Sequence, residues 1–383
     1  MDILAPPIPS SIPRPHAAIR PAARPLGVGV IGPGRVGTAL LDQLCMARDR
    51  LAVHAGLALQ LRGVATRNRM WLDCDDPQLN RRSGAQVWRP AELDTFADHV
   101  RGIEGIAVLV DCSASEAIAD RYAGWLAAGL HVVTPNKLAG SGPLARWEAI
   151  RDAAAAGSAR WRYEATVGAG LPVIQTLRDL LDTGDTLQGI DGMFSGTMAW
   201  LCNRHDGTQP FSTLLRQAHA LGYTEPDPRE DLAGTDVARK LVILAREAGW
   251  PLSLQEVEVE SLVPAALASL PPDAFLARLA QGALAEIDAP LAERLGQARA
   301  AGGVLRHVAS LDADGHAKVR LQLLPAGHPF AHTHLTDNVV QLRTARYCDN
   351  PLIVQGPGAG PQVTAAGVFA DVLRIAEAQG ARA

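Results

Sequence analysis

The stretch LGVGVIGPGRVGTALLDQL, from Leu26, changes its apolar period midway. A short apolar run predicts a strand, the glycines a turn, and the spacing that follows a helix. LALQLRGVAT, IAVLVDCS and LHVVTPNK repeat the strand pattern, with helical stretches between them. Strands alternating with helices predict a doubly wound, mostly parallel sheet. Beyond residue 160 the pattern changes. WRYEATVGAGLPVIQTLRDLL reads as a glycine-rich bend leading into a helix, and LQGIDGMFSGTMAWLCNRHDG as strand, small-residue turn and helix. LRHVASLDADGHAKVRLQLLP predicts a hairpin turning through DADG. NPLIVQGPGAGPQVTAAGVFADVLRIA returns to strand, glycine turn and helix, and that helix is expected to pack back on the first sheet.

The first glycine turn carries chemistry. Gly32, Gly34 and Gly37 form G-x-G-x-x-G between a strand and a helix, the context that gives the motif weight. Gly32 permits the sharp turn, Gly34 lets the backbone approach a pyrophosphate, and Gly37 lets the helix sit close to the strand. Amides at the helix start then face the phosphates. After the second strand no acidic side chain stands where a ribose hydroxyl would be held. Arg67 follows it instead, with Arg69 competing for the role, which favours NADP over NAD as cofactor. Ser113 lies just past IAVLVD, at the strand end where open α/β sheets bind ligands, and Lys137 closes the TPNK stretch.

Composition makes the lysines informative. Only three occur, Lys137, Lys240 and Lys318, among 36 basic residues. A guanidinium is a poor acid, whereas an ammonium takes part in proton transfer. The net charge of -4 gives no sign of a nucleic-acid binder, and no apolar stretch reaches membrane-spanning length. Five scattered cysteines read as small buried apolar residues in a reducing compartment. Residues 1–25 hold seven prolines and read as a mobile leader, so a cytoplasmic location is expected.

The segment EPDPREDLAGTDVARKLVILA, from Glu225, is dense in charge and then turns apolar. Thr224, Pro226 and Pro228 predict an extended approach, followed from Thr235 by a helix whose Val237, Leu241, Leu244 and Ala248 share a core-facing stripe. Asp236 and Lys240, four residues apart, face the same side. An exposed ion pair there would be worth only about 0.3–0.5 kcal/mol. Reduction of an aldehyde gives Lys240 another use, because it creates charge on an oxygen that an ammonium stabilises and protonates. Lys137 is its rival for that role. Asp236 would orient the ammonium or the substrate, and Glu225 and Asp231 would hold a substrate ammonium, unless these carboxylates cap helices or bind water. Ser195, Gly196 and Thr197 stand where a ligand would meet backbone amides. Glu164, beside its glycine-rich bend, suits oxygen coordination of a cation.

In order and separation, GVIGPGRVG, TPNK, EATVGAGLP, SGTMAW, GYTEPDPREDLAGTDVARK and QGPGAGPQVTAAGVFAD resemble the homoserine dehydrogenase family from about residue 26 to 378. The later motifs are most similar to the dehydrogenase module of bifunctional aspartate kinase/homoserine dehydrogenases, although 383 residues leave no room for the kinase. The resemblance implies an α/β fold, a doubly wound dinucleotide-binding domain plus an α/β substrate and dimerisation domain. The expected divisions are a leader at 1–25, the nucleotide domain at 26–160, the substrate and dimerisation domain at 161–345, a returning segment at 346–378 and a tail at 379–383. It also implies reversible reduction of L-aspartate 4-semialdehyde to L-homoserine with NAD(P)H, on the route to threonine, methionine and isoleucine. A homodimer is expected, with no nucleic-acid or membrane partner. Cofactor contacts fall to Gly32, Gly34, Arg35, Val36, Gly37, Ser113, Lys137 and Gly360, and substrate contacts to Glu225 and Asp231. Asp236 and Lys240 organise catalysis. A sodium or potassium ion falls to Glu164 with the carbonyls of Val167, Ala169 and Leu171. Leu138 and the FAHTHLTDN stretch depart from the family pattern without removing a proposed group. A C-terminal amino-acid-sensing domain, and feedback through it, is not expected. A noncatalytic NADP(H)-sensing protein is the alternative.

Overall fold

The computed structural model describes residues 23–72 and 88–380. Most of the leader and tail assignments, and Cys74, lie outside them. The first strand starts at Arg24, inside the stretch read as leader.

Two sheets organise the chain. In the first, β1 (Arg24–Ile31), β2 (Leu57–Ala65), β5 (Ile106–Asp111), β6 (His131–Val133) and β7 (Trp161–Arg162) run parallel in the order β2-β1-β5-β6-β7. Strand β5 is buried at every position, because helices cover both faces of such a sheet. Short antiparallel strands β3 (Arg69–Leu72) and β4 (Arg89–Pro90) extend the β2 edge; the alternating pattern gave no sign of them. On one face lies the glycine-loop helix Arg35–Arg50, and beside it the C-terminal helix Pro361–Ala378, whose Ala365, Val368, Val372 and Ile375 share a core with Leu26, Val28 and Leu40. The expected return of the terminal helix is therefore present.

The second sheet has the order β13-β12-β8-β10-β11-β9. It joins β8 (Leu187–Met193), the short β9 (Glu258–Val259), the hairpin β10 (Gly303–Asp312) and β11 (Ala317–Pro325), then β12 (Asp337–Thr344) and β13 (Leu352–Pro357). The hairpin turns where DADG predicts, with Leu311 opposite Ala317. Helices Gly196–Arg204, Phe211–Ala220 and Ala285–Ala300 bury Leu201, Leu215 and Leu291 with Leu305 and Leu321 of this sheet.

The lysine helix Thr235–Glu247 ties the two sheets together. Its Val237, Leu241, Val242 and Leu244 are buried in one apolar cluster with Leu109 and Val132 of the first sheet and Ala309 and Val319 of the second. Its approach is not extended throughout: residues Pro228–Leu232 form a short helix capped by Asp227. Proline at the first helical position costs no hydrogen bond, which is why PDPRED starts a turn of helix rather than preventing one. Among the described residues no helix is long and apolar enough to cross a membrane. Cys112, Cys202 and Cys348 are free; Cys348 is exposed, contrary to the expectation that the cysteines are buried.

Candidate active site

The glycine loop has the shape its spacing predicts. Gly32 adopts φ +78°, and a Cβ there would meet the Ser113 amide at 2.9 Å, so the loop lies against the end of β5. A Cβ on Gly37 would stand 2.5 Å from the Gly32 carbonyl, whereas around Gly34 nothing lies within 4 Å. Gly34 begins the helix without a side-chain cap, leaving its first amides to an incoming group. Arg35 and Val36 form the first turn. Of the two arginines after β2, Arg69 lies over the Trp88 ring at 5.4 Å, while Arg67 is exposed with no partner among the described residues. Gly360 starts the C-terminal helix at φ +115°, and Gln362 next to it accepts a hydrogen bond of 2.9 Å from Gln43 of the glycine-loop helix.

Asp111, buried at the end of β5, joins this loop to Lys137. Its carboxylate accepts from the Ser113 amide at 2.8 Å, from the Tyr122 hydroxyl, and from Asn136 Nδ2 at 3.1 Å. Burial pushes its pKa up, against the lowering effect of these donors. Asn136 in turn accepts from the Leu138 amide at 3.0 Å and so caps the helix Lys137–Ser141. The sequence reading missed Asp111, which looks like the polar end of an apolar strand.

Lys137 and Lys240 meet at a single carboxylate. Asp236 Oδ1 lies 3.2 Å from Lys137 Nζ, and Oδ2 lies 2.9 Å from Lys240 Nζ. Burial works to raise the Asp236 pKa, but the Lys240 and Lys137 ammoniums outweigh it and hold the carboxyl well below the usual range. Lys240 also donates to the Phe194 carbonyl at 2.7 Å, an oxygen shared with Asn338 Nδ2 at 3.1 Å. Two of its three N–H groups are therefore engaged, and one remains for a ligand. Neither Phe194 nor Asn338 stood out in the sequence reading, since a carbonyl has no residue signature.

Asp236 lines a cavity of about 400 Å³ with Ser195, Glu225, Asp231, Glu230 and Arg239. The last two were not anticipated. Asp231 accepts from the Glu225 amide at 2.8 Å, which brings both carboxylates to one wall. Burial first, then the charges of Glu225 and Asp236, push the Asp231 pKa up. Ser195 caps its helix by accepting from the Met198 amide at 3.2 Å and still faces the cavity. Gly196 backs onto Thr336, and Thr197 is buried with its hydroxyl donated to the Tyr223 carbonyl at 2.6 Å. Thr197 therefore braces this wall rather than lining it.

Glu164, expected to help hold a cation, also serves as a helix cap. Its carboxylate oxygens accept from the amides of Ile174 at 2.6 Å and Gln175 at 2.8 Å, capping the helix Val173–Asp182. Burial and the nearby Asp371 push its pKa up to about 7. The bend itself is tight: Gly168 and Ala169 both have positive φ, and Val167 and Ala169 are buried.

A dinucleotide loop at the end of a parallel sheet, linked through Asp111 and Asn136 to two lysines on one carboxylate beside an acidic cavity, defines a nicotinamide-dependent oxidoreductase. A model of homoserine dehydrogenase matches residues 172–373, and a model of the homoserine dehydrogenase NAD binding domain matches residues 32–164. The chain is 44% identical over 364 residues to a bifunctional aspartokinase/homoserine dehydrogenase 2, chloroplastic, of Zea mays, covering 93% of this chain and 39% of that protein. It is 42% identical over 377 residues to a homoserine dehydrogenase of Emericella nidulans, covering 92% and 99%. A crystal structure of a protein of unknown function from Candida auris superposes with a TM-score of 0.83 at 36% identity, covering 92% of this chain and 99% of that one. The chain spans about two fifths of the length of the bifunctional relatives it matches. It belongs to the homoserine dehydrogenase family.

Proposed function

We propose that the chain is a homoserine dehydrogenase that interconverts L-aspartate 4-semialdehyde and L-homoserine, with NADP preferred and NAD as the second cofactor. The observation that carries this reading is the Lys137–Asp236–Lys240 contact at the rim of the acidic cavity. The glycine loop fits a dinucleotide, because Gly34 leaves open space in front of an uncapped helix start that a side chain would occupy. Exposed Arg67 at the end of β2, and the absence of an acid there, favour a 2′-phosphate. With its pyrophosphate held at that loop, the reduced dinucleotide would supply the hydride.

The protein's own groups do the remainder. Glu225 and Asp231 hold the substrate ammonium against one wall of the cavity. The free N–H of Lys240 points its positive charge at the aldehyde oxygen, stabilises the charge that grows there and gives up a proton. Asp236 keeps both lysines aimed at one point, and the Phe194 carbonyl fixes the angle of Lys240. In the reverse direction Lys240, deprotonated, takes the hydroxyl proton of homoserine.

The reading extends to a structural sodium or potassium ion at the bend, held by the carbonyls of Val167, Ala169 and Leu171. The Val167 and Ala169 carbonyls accept no hydrogen bond among the described residues, and hard oxygen donors suit such an ion. Glu164, engaged at its helix, would lend charge nearby rather than complete the shell. Water alone at the bend in a high-resolution structure with saturating sodium or potassium would remove the ion from the account. A homodimer working in the cytoplasm belongs to the same reading.

The test of the reaction adds L-aspartate 4-semialdehyde to the purified chain with NADPH or NADH and follows loss of the reduced nicotinamide. Turnover with both, faster with NADPH, is expected. No turnover with either would leave a noncatalytic NADP(H)-sensing protein; a strong NADH preference would remove only the NADP assignment.

A further inference from the structure

Beside edge strand β7, three strands from β1 in the sheet, opens a cavity of about 330 Å³. Arg151, Arg160, Arg162 and Arg178 line it, and Glu247 is the one carboxylate among its lining residues. Four guanidiniums against one carboxylate leave an excess of three positive charges. The carboxylate is already in use: Glu247 holds Arg178 through Nε and Nη2, the latter at 3.2 Å, and also accepts from the Tyr163 hydroxyl. Among the described residues the Arg162 side chain hydrogen-bonds only the neutral Gln175, at 2.8 Å. Burial, then the Arg178 charge, push its pKa down from the ordinary value, while Asp371 and Glu164 offset this only in part. Arg151 lies over Trp147 at 4.8 Å, and neither it nor Arg160 has a carboxylate of its own among the described residues. The floor is the Trp161–Tyr163 pair, with ring centroids 4.0 Å apart.

Like charges gathered at one site, Arg162 and Arg178 half-buried and Arg151 and Arg160 exposed, raise its energy until an anion neutralises them. Planar guanidinium forks pair with phosphoryl and carboxylate oxygens two at a time. We infer that this cavity is a binding site for a compact polyanion bearing phosphoryl or carboxylate groups. The volume admits a small metabolite and the excess charge matches a di- or trianion. Glu247 sits at the end of the lysine helix, seven residues or about two turns beyond Lys240. A ligand that competes with Glu247 for Arg178 therefore touches the element that carries the proposed acid.

Calorimetric titration of the full chain with pyrophosphate, and separately with citrate, tests the inference. Saturable binding of at least one of them, tighter than about 1 mM, is expected. Preference between the two identifies the phosphoryl or the carboxylate source. Arg160→Gln combined with Arg162→Gln should weaken binding by about tenfold or more. Arg151→Gln, at an exposed position whose side chain lies on the Trp147 ring, should weaken it in the same direction and, with folding checked by thermal melt, decides the matter if the double variant does not fold. The glycine loop is unaltered in every variant, so anion binding there contributes equally and drops out of the comparison. No saturable binding of either anion, or affinities unchanged by the arginine substitutions, would overturn the site.

Discussion

Asp236 makes one carboxylate serve two ammoniums, and its removal should be felt by both. In Asp236→Asn the lysines keep their proximity and lose their shared counter-charge. Turnover should fall on the order of a hundredfold, within the range for disturbed acid/base groups. A folded variant with near-normal turnover would remove Asp236 from the catalytic group. Lys240→Arg should stay badly impaired, because a guanidinium keeps the charge and is a poor proton donor. At this scale the sequence was informative wherever chemistry has a residue type and a spacing: Asp236 and Lys240 are legible because helical geometry puts residues four apart on one side. Their link to Lys137 was not, since it depends on how one sheet docks against another. Asp111, the Phe194 carbonyl and Asn338 were silent for the same reason.

The glycine loop allows a separation of folding from binding within one element. Gly34→Ala puts a methyl where the protein has open space, at a helix start where the exchange costs about 1 kcal/mol or less. It should fold with little change in melting temperature while the KM for NADPH rises about tenfold or more. Gly37→Ala drives its methyl toward the Gly32 carbonyl, a backbone atom that cannot move aside cheaply. That variant should lose stability as well as cofactor affinity. Thermal melts with NADPH titrations distinguish the two; equal melting losses would contradict the geometry. Strand and helix order in the nucleotide domain was readable because its apolar runs are long and its turns are marked by glycine. Strands β3 and β4 are four and two residues long, too short to impose a period. Pro228 predicts an extended approach as a helix breaker, yet Pro228–Leu232 is a short helix, because proline suits the first helical position.

Across the whole molecule, buried histidines set part of the acid limit. Burial lowers the pKa of His131 and of His307 to about 4 from an ordinary 6.5, with the Arg160 charge adding to the effect on His131. His131 Nδ1 accepts the Arg160 amide at 2.9 Å, a bond that requires the unprotonated nitrogen. The unfolded chain binds these protons more readily, so the stabilising contribution is whole above pH 6.5 and disappears as pH falls toward 4. Melting temperature should decline across that window, with a smaller decline in His307→Leu; an equal slope in the variant would place the acid sensitivity elsewhere. The lysine helix belongs to this scale too, because its apolar stripe is the core shared by both sheets. Any relative motion of the sheets therefore moves Lys240 against the nucleotide loop. The central claim, that Lys240 exchanges the proton that accompanies hydride transfer, is most directly tested by measuring turnover of Lys240→Ala in both directions, after folding and NADPH binding are found intact. The account predicts a loss on the order of 10²–10⁴ in each direction. Near-normal turnover in that variant, with collapse in Lys137→Ala instead, would contradict it and transfer the proton to Lys137.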